Sequence, residues 1–141
     1  PWSPLAGGLL SGKFTREGTS DPNARRAGKF DFPPMDLEKT HKIVDVMRVI
    51  AKNKQATVAQ IALAWLLAQP FMTSLIIGAR NETQLKDNLG SVNVKLDSAE
   101  LEQLDAVSRL APEYPGWMQA MQTSRRLGHI QELSRAATQK S

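Results

Sequence analysis

The chain has 141 residues, 41% of them hydrophobic, enough for one core, and no apolar run reaches the roughly 20 residues that span a bilayer. It has no cysteine, which excludes disulfides and thiolate metal sites, and His41 and His129 are too far apart in sequence to indicate a metal pair. The net charge of +4 comes from scattered basic residues that are not interleaved with aromatic ones, which argues against nucleic-acid binding.

The chain opens on a short apolar segment that leads into a glycine-rich loop. Residues 2–5 are too short and apolar for a helix start, so we interpret them as the end of a strand. Gly7, Gly8 and Gly12 then allow a sharp turn and a close approach of the backbone to a ligand, and Lys13 adds a cation. Such an arrangement can hold a phosphate, although the P-loop pattern is absent. A plain glycine-rich turn is the alternative.

Two helices are predicted after a long connection over residues 15–35, which is rich in Gly, Pro, Asp and Asn. Asp36 can cap the first helix, and a capping box at Thr57 and Gln60 opens the second, which extends from Val58 to Gln69. The second helix is apolar on most sides, which is typical of a helix covered from several directions. The first has a single apolar stripe at helical spacing, made of Ile43, Val44, Met47, Ile50 and Ala51.

A strand, a turn and a helix follow in the order of a βα unit. Residues 73–77 predict a short buried parallel strand, since their apolar residues do not alternate with polar ones. Gly78 follows this strand, and Asn81 caps the next helix with Gln84 in the capping-box position. Asp97 opens a further helix.

Two of these segments resemble a known family. Residues 2–14, WSPLAGGLLSGKF, resemble the strand-seven segment of the aldo-keto reductases. Residues 77–90, IGARNETQLKDNLG, resemble the family's strand-eight segment, which holds the adenosine end of NADP. The resemblance implies an α/β fold: the C-terminal part of a (β/α)8 TIM barrel, here mostly helical with two short parallel strands.

The resemblance implies NADP(H) as the cofactor and assigns a role to each matching residue. Asp87 stands where the family often has glutamate, so its reach is shorter. The implied contacts are Trp2 on the nicotinamide; Ser3, Leu5 and Lys13 at the pyrophosphate, with Gly7 in the same loop; Gly78 and Arg80 at the adenosine phosphate; and Gln84, Asp87 and Asn88 at the adenine and its ribose.

Arg80 is the residue whose chemistry best fits the 2′-phosphate that distinguishes NADP from NAD. Its guanidinium offers a planar fork of donors, and charge-assisted bonds of this kind contribute about 1.5–3 kcal/mol each. The alternative is an exposed surface cation worth less than about 1 kcal/mol. For Gln84 the alternative is a capping amide that needs no ligand.

The resemblance implies an NADP-dependent oxidoreductase that reduces a small carbonyl substrate by hydride transfer. The family's catalytic Asp, Tyr, Lys and His lie on early strands, and the only tyrosine here, Tyr114, is in a turn far from such a position. We therefore assign no catalytic residue and no metal ligand, and we expect a truncated form, since the chain starts at Pro1 inside a motif. The alternatives are a non-catalytic NADP-binding remnant and a purely structural oligomeric module.

The resemblance also divides the chain and predicts its partners. It extends to about Gly116, so residues 1–116 are the cofactor-binding half and residues 117–141 a tail, helical from about Gln131. Two parallel strands cannot close a barrel, and they would leave open edges and an exposed apolar helix. We therefore predict a homo-oligomer, a dimer or a higher assembly, formed by segment exchange or by pairing of sheet edges. We expect a cytoplasmic protein without membrane or nucleic-acid partners.

The connection 15–35 is interpreted either as a lid over the pyrophosphate or as a solvated insertion.

Overall fold

A computed structural model describes residues 1–19, 24 and 34–111, together with the isolated positions 115, 116, 118, 122 and 123. Residues 1–109 form one compact unit, and a second unit begins at Leu110. The predicted division after Gly116 stays a prediction, and the predicted helical tail from Gln131 lies outside the described residues.

Each of four α-helices in the described residues begins at a side-chain cap, as the sequence predicts for Asp36, Thr57, Asn81 and Asp97. In the first, the Asp36 carboxylate accepts a hydrogen bond from the Lys39 backbone N–H at 3.0 Å. Such caps satisfy N–H groups that have no partner within the helix. The helices are α1 (Leu37–Lys54), α2 (Val58–Leu67), α3 (Glu82–Gly90) and α4 (Ser98–Ser108).

The core lies where α1 packs against α2 and α4. Val44, Met47 and Ile50 of the predicted stripe are buried, which confirms the face that α1 turns inward. Ile61 and Leu63 of α2 have no solvent exposure. The prediction that α2 is covered from several directions is confirmed, because α1, α3 and two short 3₁₀ helices pack against it. The expectation of an exposed apolar helix holds only at its C-terminal end, where Leu67 is 38% exposed. Those 3₁₀ helices are Ala6–Ser11 and Ser91–Asn93.

The predicted pair of parallel strands is reduced to a single parallel bridge between Trp2 and Ile76. One backbone hydrogen bond, from Ile76 N–H to the Pro1 carbonyl at 2.9 Å, supports it. Ile76 is 67% exposed, so the segment is not the buried strand that its apolar residues predicted. Among the described residues, each of these two segments has only the other as a β-pairing partner. A pair of strands without further partners has marginal stability in water.

The regular strands of the described residues are antiparallel and were not predicted. β1 (Phe14–Thr15) and β2 (Gly18–Thr19) form a two-stranded hairpin directly after the glycine-rich loop. The hairpin occupies the start of the connection that the sequence presented as irregular. Within the described residues, no helix combines the length and apolar character needed to cross a membrane.

Candidate functional site

A cleft of about 560 Å³ opens between the N-terminal segment and the turn that precedes α3. The glycine-rich loop lines one side of it and residues 76–80 line another. All ten residues that the sequence analysis assigned to the cofactor line this cleft: Trp2, Ser3, Leu5, Gly7, Lys13, Gly78, Arg80, Gln84, Asp87 and Asn88. The structure thus brings the two family-like segments together, while the cofactor roles of these residues stay predictions.

The N-terminal wall of the cleft has an unusual backbone. Gly7 and Gly8 have φ of 67° and 100°, which confirms that this turn needs glycine. Ser3 and Ala6 are also left-handed, at 56° and 49°, although each carries a Cβ. A left-handed residue with a Cβ costs about 1–2 kcal/mol, and such strain is concentrated at functional sites.

A short polar contact holds this turn closed. The Ser11 hydroxyl donates to the Gly8 carbonyl at 2.6 Å, and the Gly8 N–H donates to the Leu5 carbonyl at 2.9 Å. Both contacts lie within the loop itself. The loop is therefore shaped by its own hydrogen bonds before any ligand arrives.

The opposite wall is held by side chains of α3. Asn81 accepts from the Gln84 backbone N–H at 2.9 Å, as predicted. The Gln84 side-chain oxygen, however, accepts from the N–H of Arg80 at 3.0 Å rather than from that of Asn81, so the predicted capping box is only half present. Buried Asn88 donates to the Gly78 carbonyl at 3.3 Å. Gln84 and Asn88 therefore fix the backbone on which Arg80 is mounted.

Asp87 connects α3 to the start of α2. One of its carboxylate oxygens accepts from the Thr57 hydroxyl at 3.1 Å, and its backbone carbonyl accepts from the Gln60 amide at 2.9 Å. A Cβ on Gly90 would lie 2.5 Å from that amide nitrogen, so a larger residue here would displace the Gln60 amide from this contact. The same two residues that cap α2 thus support this wall of the cleft.

The charges around the cleft favour an anion. Lys13 and Arg80 are exposed at its lining, and Asp87 is the one acidic residue among the described lining positions. The N-terminus of α3 lies beside Arg80 and adds the positive end of a helix dipole. Trp2 is 69% exposed, which leaves its ring accessible to a planar partner. The arrangement can hold a phosphorylated ligand with an aromatic group.

The cleft also has lining residues that the sequence did not predict. Phe14 ends the first family-like segment and was assigned no role there, and Ala24 comes from the long connection. No local signal indicates that Ala24 reaches the cleft. Most of that connection, including Arg25 and Phe30, lies outside the described residues, so the lid and the solvated insertion both stay predictions.

The chain belongs to the aldo/keto reductase family, whose family model matches residues 1–109. The family implies a (β/α)8 barrel and generally uses NAD(P)H as its cofactor.

Curated relatives agree with this assignment. The uncharacterized oxidoreductase YrpG of Bacillus subtilis (strain 168) is 37% identical over 106 residues, covering 75% of this chain and 30% of the relative. An NADH-specific methylglyoxal reductase of Escherichia coli (strain K12) is 31% identical, covering 70% and 30%. An L-glyceraldehyde 3-phosphate reductase of the same organism is 32% identical, covering 74% and 31%. The chain thus spans about 30% of the length of these relatives.

Proposed function

We propose that the cleft binds NADP(H) and that the chain is the cofactor-binding part of a carbonyl-reducing oxidoreductase. The observation that supports this proposal is the meeting of two segments that are distant in the sequence. The first family-like segment supplies Trp2 and Lys13, the second supplies Arg80, and all three line one cleft. When bound, the cofactor supplies the hydride that reduces an aldehyde or ketone.

The residues of the cleft fit such a cofactor in size and chemistry. A volume of about 560 Å³ falls within the range of about 300–1,000 Å³ that is usual for ligand pockets. Trp2 would face the nicotinamide, and Ser3, Leu5 and Lys13, in the loop that contains Gly7, would meet the pyrophosphate. At the other end, Gly78 and Arg80 would hold the adenosine phosphate, with Gln84, Asp87 and Asn88 nearest the adenine and its ribose.

The preference for NADP over NAD rests on Arg80 alone. Its exposed guanidinium beside the N-terminus of α3 can form charge-assisted bonds to a 2′-phosphate. One relative is named as NADH-specific, so membership of the family does not determine this preference. The two cofactors must therefore be compared directly.

A tryptophan-fluorescence titration of the 141-residue chain with NADPH and with NADH tests the proposal. We expect tighter binding of NADPH, and we expect Arg80→Ala to weaken NADPH binding about 10- to 100-fold while changing NADH binding little. Lys86→Ala is the matched control, because Lys86 is an exposed cation of α3 paired only with Glu82 among the described residues. Absence of binding at millimolar NADPH, or an equal loss for both cofactors, would contradict the proposal.

A non-catalytic structural role is the second candidate, and one observation favours it. The Gln84 and Asn88 side chains form hydrogen bonds to backbone groups, and the Asp87 side chain bonds Thr57. These three side chains therefore stabilise the fold even when no cofactor is bound. Under this alternative, Arg80→Ala leaves NADPH binding unchanged. A non-catalytic NADP-binding remnant, by contrast, would bind NADPH yet fail to reduce an aldehyde in a turnover assay.

We also propose that the chain forms a homodimer in the cytoplasm. The two bridge residues Trp2 and Ile76 are exposed, and so are Phe71 and, on α3, Leu85 and Leu89. Exposed apolar groups of this kind mark interaction surfaces. The small carbonyl substrate remains a proposal drawn from the family.

A further inference from the structure

The backbone on either side of Lys13 is held by a residue that lies far away in the sequence. The Arg48 guanidinium donates to the Gly12 carbonyl at 3.2 Å and to the Phe14 carbonyl at 3.4 Å. These carbonyls belong to the two residues that flank Lys13, which lines the cleft. One side chain of α1 therefore contacts the segment both before and after the lysine.

Arg48 is itself oriented by an ion-pair network on the surface of α1. Its other terminal nitrogen donates to Asp45 at 2.9 Å, and Arg16 donates to the second oxygen of the same carboxylate at 3.0 Å. Arg16 lies in the turn of the hairpin that follows Lys13. Asp45 thus links α1 to the hairpin directly, in addition to the link through Arg48.

The same segment also lies against the start of α2. Gly12 has a φ of 80°, and a Cβ placed there would lie 3.0 Å from the Val58 side chain at the start of α2. The segment therefore has neighbours on both helices, the Arg48 guanidinium of α1 and Val58 of α2.

We infer that Arg48 is a positioning residue that holds the backbone around Lys13 and so presents the Lys13 ammonium to the anionic ligand of the cleft. The link to a ligand rests on the proposed cofactor function. Arg48 does not line the cleft, so it acts through the segment and not by touching the ligand.

The arrangement requires arginine rather than any cation. One terminal nitrogen of the planar Arg48 guanidinium donates to Asp45 on α1, and the other donates to the carbonyls of Gly12 and Phe14. A lysine ammonium is a single point charge on a flexible stem and cannot reproduce this fork. Arg48→Lys therefore removes the positioning while keeping the charge.

The first test measures how readily the backbone around Lys13 opens to a protease, with no cofactor present. Trypsin cleaves after Lys13, directly before β1, and the hairpin must open locally for the protease to bind the residues on both sides of that bond. Mass spectrometry of the intact chain follows the Lys13–Phe14 bond in wild type, Arg48→Ala and Arg48→Lys. We expect cleavage to be about fivefold faster in both variants. Lys52→Ala, which removes an exposed cation from the last turn of the same helix, should match wild type.

The second test measures NADPH affinity in the same proteins. Both Arg48 variants should bind about fivefold more weakly, and Lys52→Ala should not. In a Lys13→Ala background, Arg48→Ala should add little, because its effect passes through Lys13. The far-ultraviolet circular dichroism of each variant should remain that of wild type, since Arg48 lies outside the buried core.

The two tests separate the inference from the proposed function. Wild-type chain that fails to bind NADPH would overturn the proposed function, while the trypsin experiment would still decide whether Arg48 holds the segment. Cleavage at Lys13 that is unchanged in both Arg48 variants would overturn the inference. So would full retention of affinity in Arg48→Lys, or additive losses in the double variant.

Discussion

Gly12 illustrates how one residue combines a backbone requirement with a packing requirement. Its φ of 80° is left-handed, and a Cβ there would lie 3.0 Å from the Val58 side chain, which is tighter than an ordinary contact. The two conditions have different origins, since the first is local and the second depends on α2. Their coincidence at the residue before Lys13 makes this position sensitive to substitution.

We predict that Gly12→Ala destabilises the chain by about 1–3 kcal/mol, through left-handed strain and the close contact with Val58. Urea unfolding followed by circular dichroism measures the change. Gly78→Ala is the control, because that glycine has no atom within 4 Å of its Cβ position and its φ is not left-handed. Val58→Ala removes the two Cγ atoms that a Cβ on residue 12 would meet, although the Val58 Cβ stays, so the double variant Gly12→Ala/Val58→Ala should lose less stability than the sum of the two single variants. Additive losses would show that the contact with the Cγ atoms contributes nothing.

Asp45 gives a second residue-scale prediction, concerning pH. Its hydrogen bond to Arg16 lowers the pKa of this carboxyl below its usual value, with Arg48 contributing in the same direction. Because the folded-state pKa is the lower one, the stabilisation is present above the unfolded-state pKa and is lost as the pH falls through the folded-state value. We expect the stability difference between wild type and Asp45→Asn to be constant near neutral pH and to vanish under acid conditions.

Urea midpoints measured between neutral pH and pH values below about 4 provide the test, since an unperturbed aspartate titrates near 3.9. Glu17 also has a lowered pKa, through its hydrogen bond from Thr15, and its stabilisation is lost in the same acid direction. Comparing wild type with Asp45→Asn cancels that contribution. A difference that persists unchanged in acid would argue against the ion pair as its source.

At the scale of elements, the start of α2 is bonded to α3. Thr57 and Gln60 form the capping box of α2, and both also bond Asp87 of α3. The first contacts are local and follow from the sequence. The second set joins two helices, so one pair of residues serves both the end of a helix and the wall of the cleft.

We predict that Thr57→Ala costs about 1–2 kcal/mol of stability. The substitution removes the N-cap of α2 and the hydroxyl that donates a hydrogen bond to Asp87. Thr57→Ser keeps the hydroxyl and should remain close to wild type. Thermal or urea unfolding distinguishes them. If the serine variant were as unstable as the alanine variant, the methyl group rather than the hydrogen bonds would be responsible.

At the scale of the whole molecule, apolar surface is left uncovered among the described residues. Trp2 and Ile76 are paired with each other only by a single bridge, and both are more than two-thirds exposed. Two paired extended segments with open edges present backbone N–H and C=O groups that can pair with another chain. For this reason we expect a second copy of the chain to pair with the open edge of the Trp2–Ile76 bridge.

We predict that the 141-residue chain is a dimer at micromolar concentration, with twice the mass of one chain in size-exclusion chromatography with light scattering. Ile76→Lys should shift the chain toward monomer, because it places a charge at the open edge. Val49→Lys is the matched control, since Val49 is 63% exposed on α1. A compact, stable monomer of the wild-type chain would refute the prediction.

The sequence by itself determined the helices, their caps and the identity of the family. Asp36, Thr57, Asn81 and Asp97 were recognisable because a cap bonds a backbone group only three residues away, and the α1 stripe because its spacing is that of a helix turn. The left-handed glycines were predictable for the same reason, since their conformation is local.

The tertiary structure alone decided what depends on distant partners. It reduced the predicted parallel strands to one bridge, because strand pairing needs neighbours that short-range patterns cannot reveal. It placed the Gln84 side chain on the Arg80 backbone N–H, and it decided which elements cover α2. It also placed Arg48, 36 residues from Gly12, at the segment that carries Lys13. No spacing rule relates these residues, because packing between α1 and the glycine-rich loop brings them together.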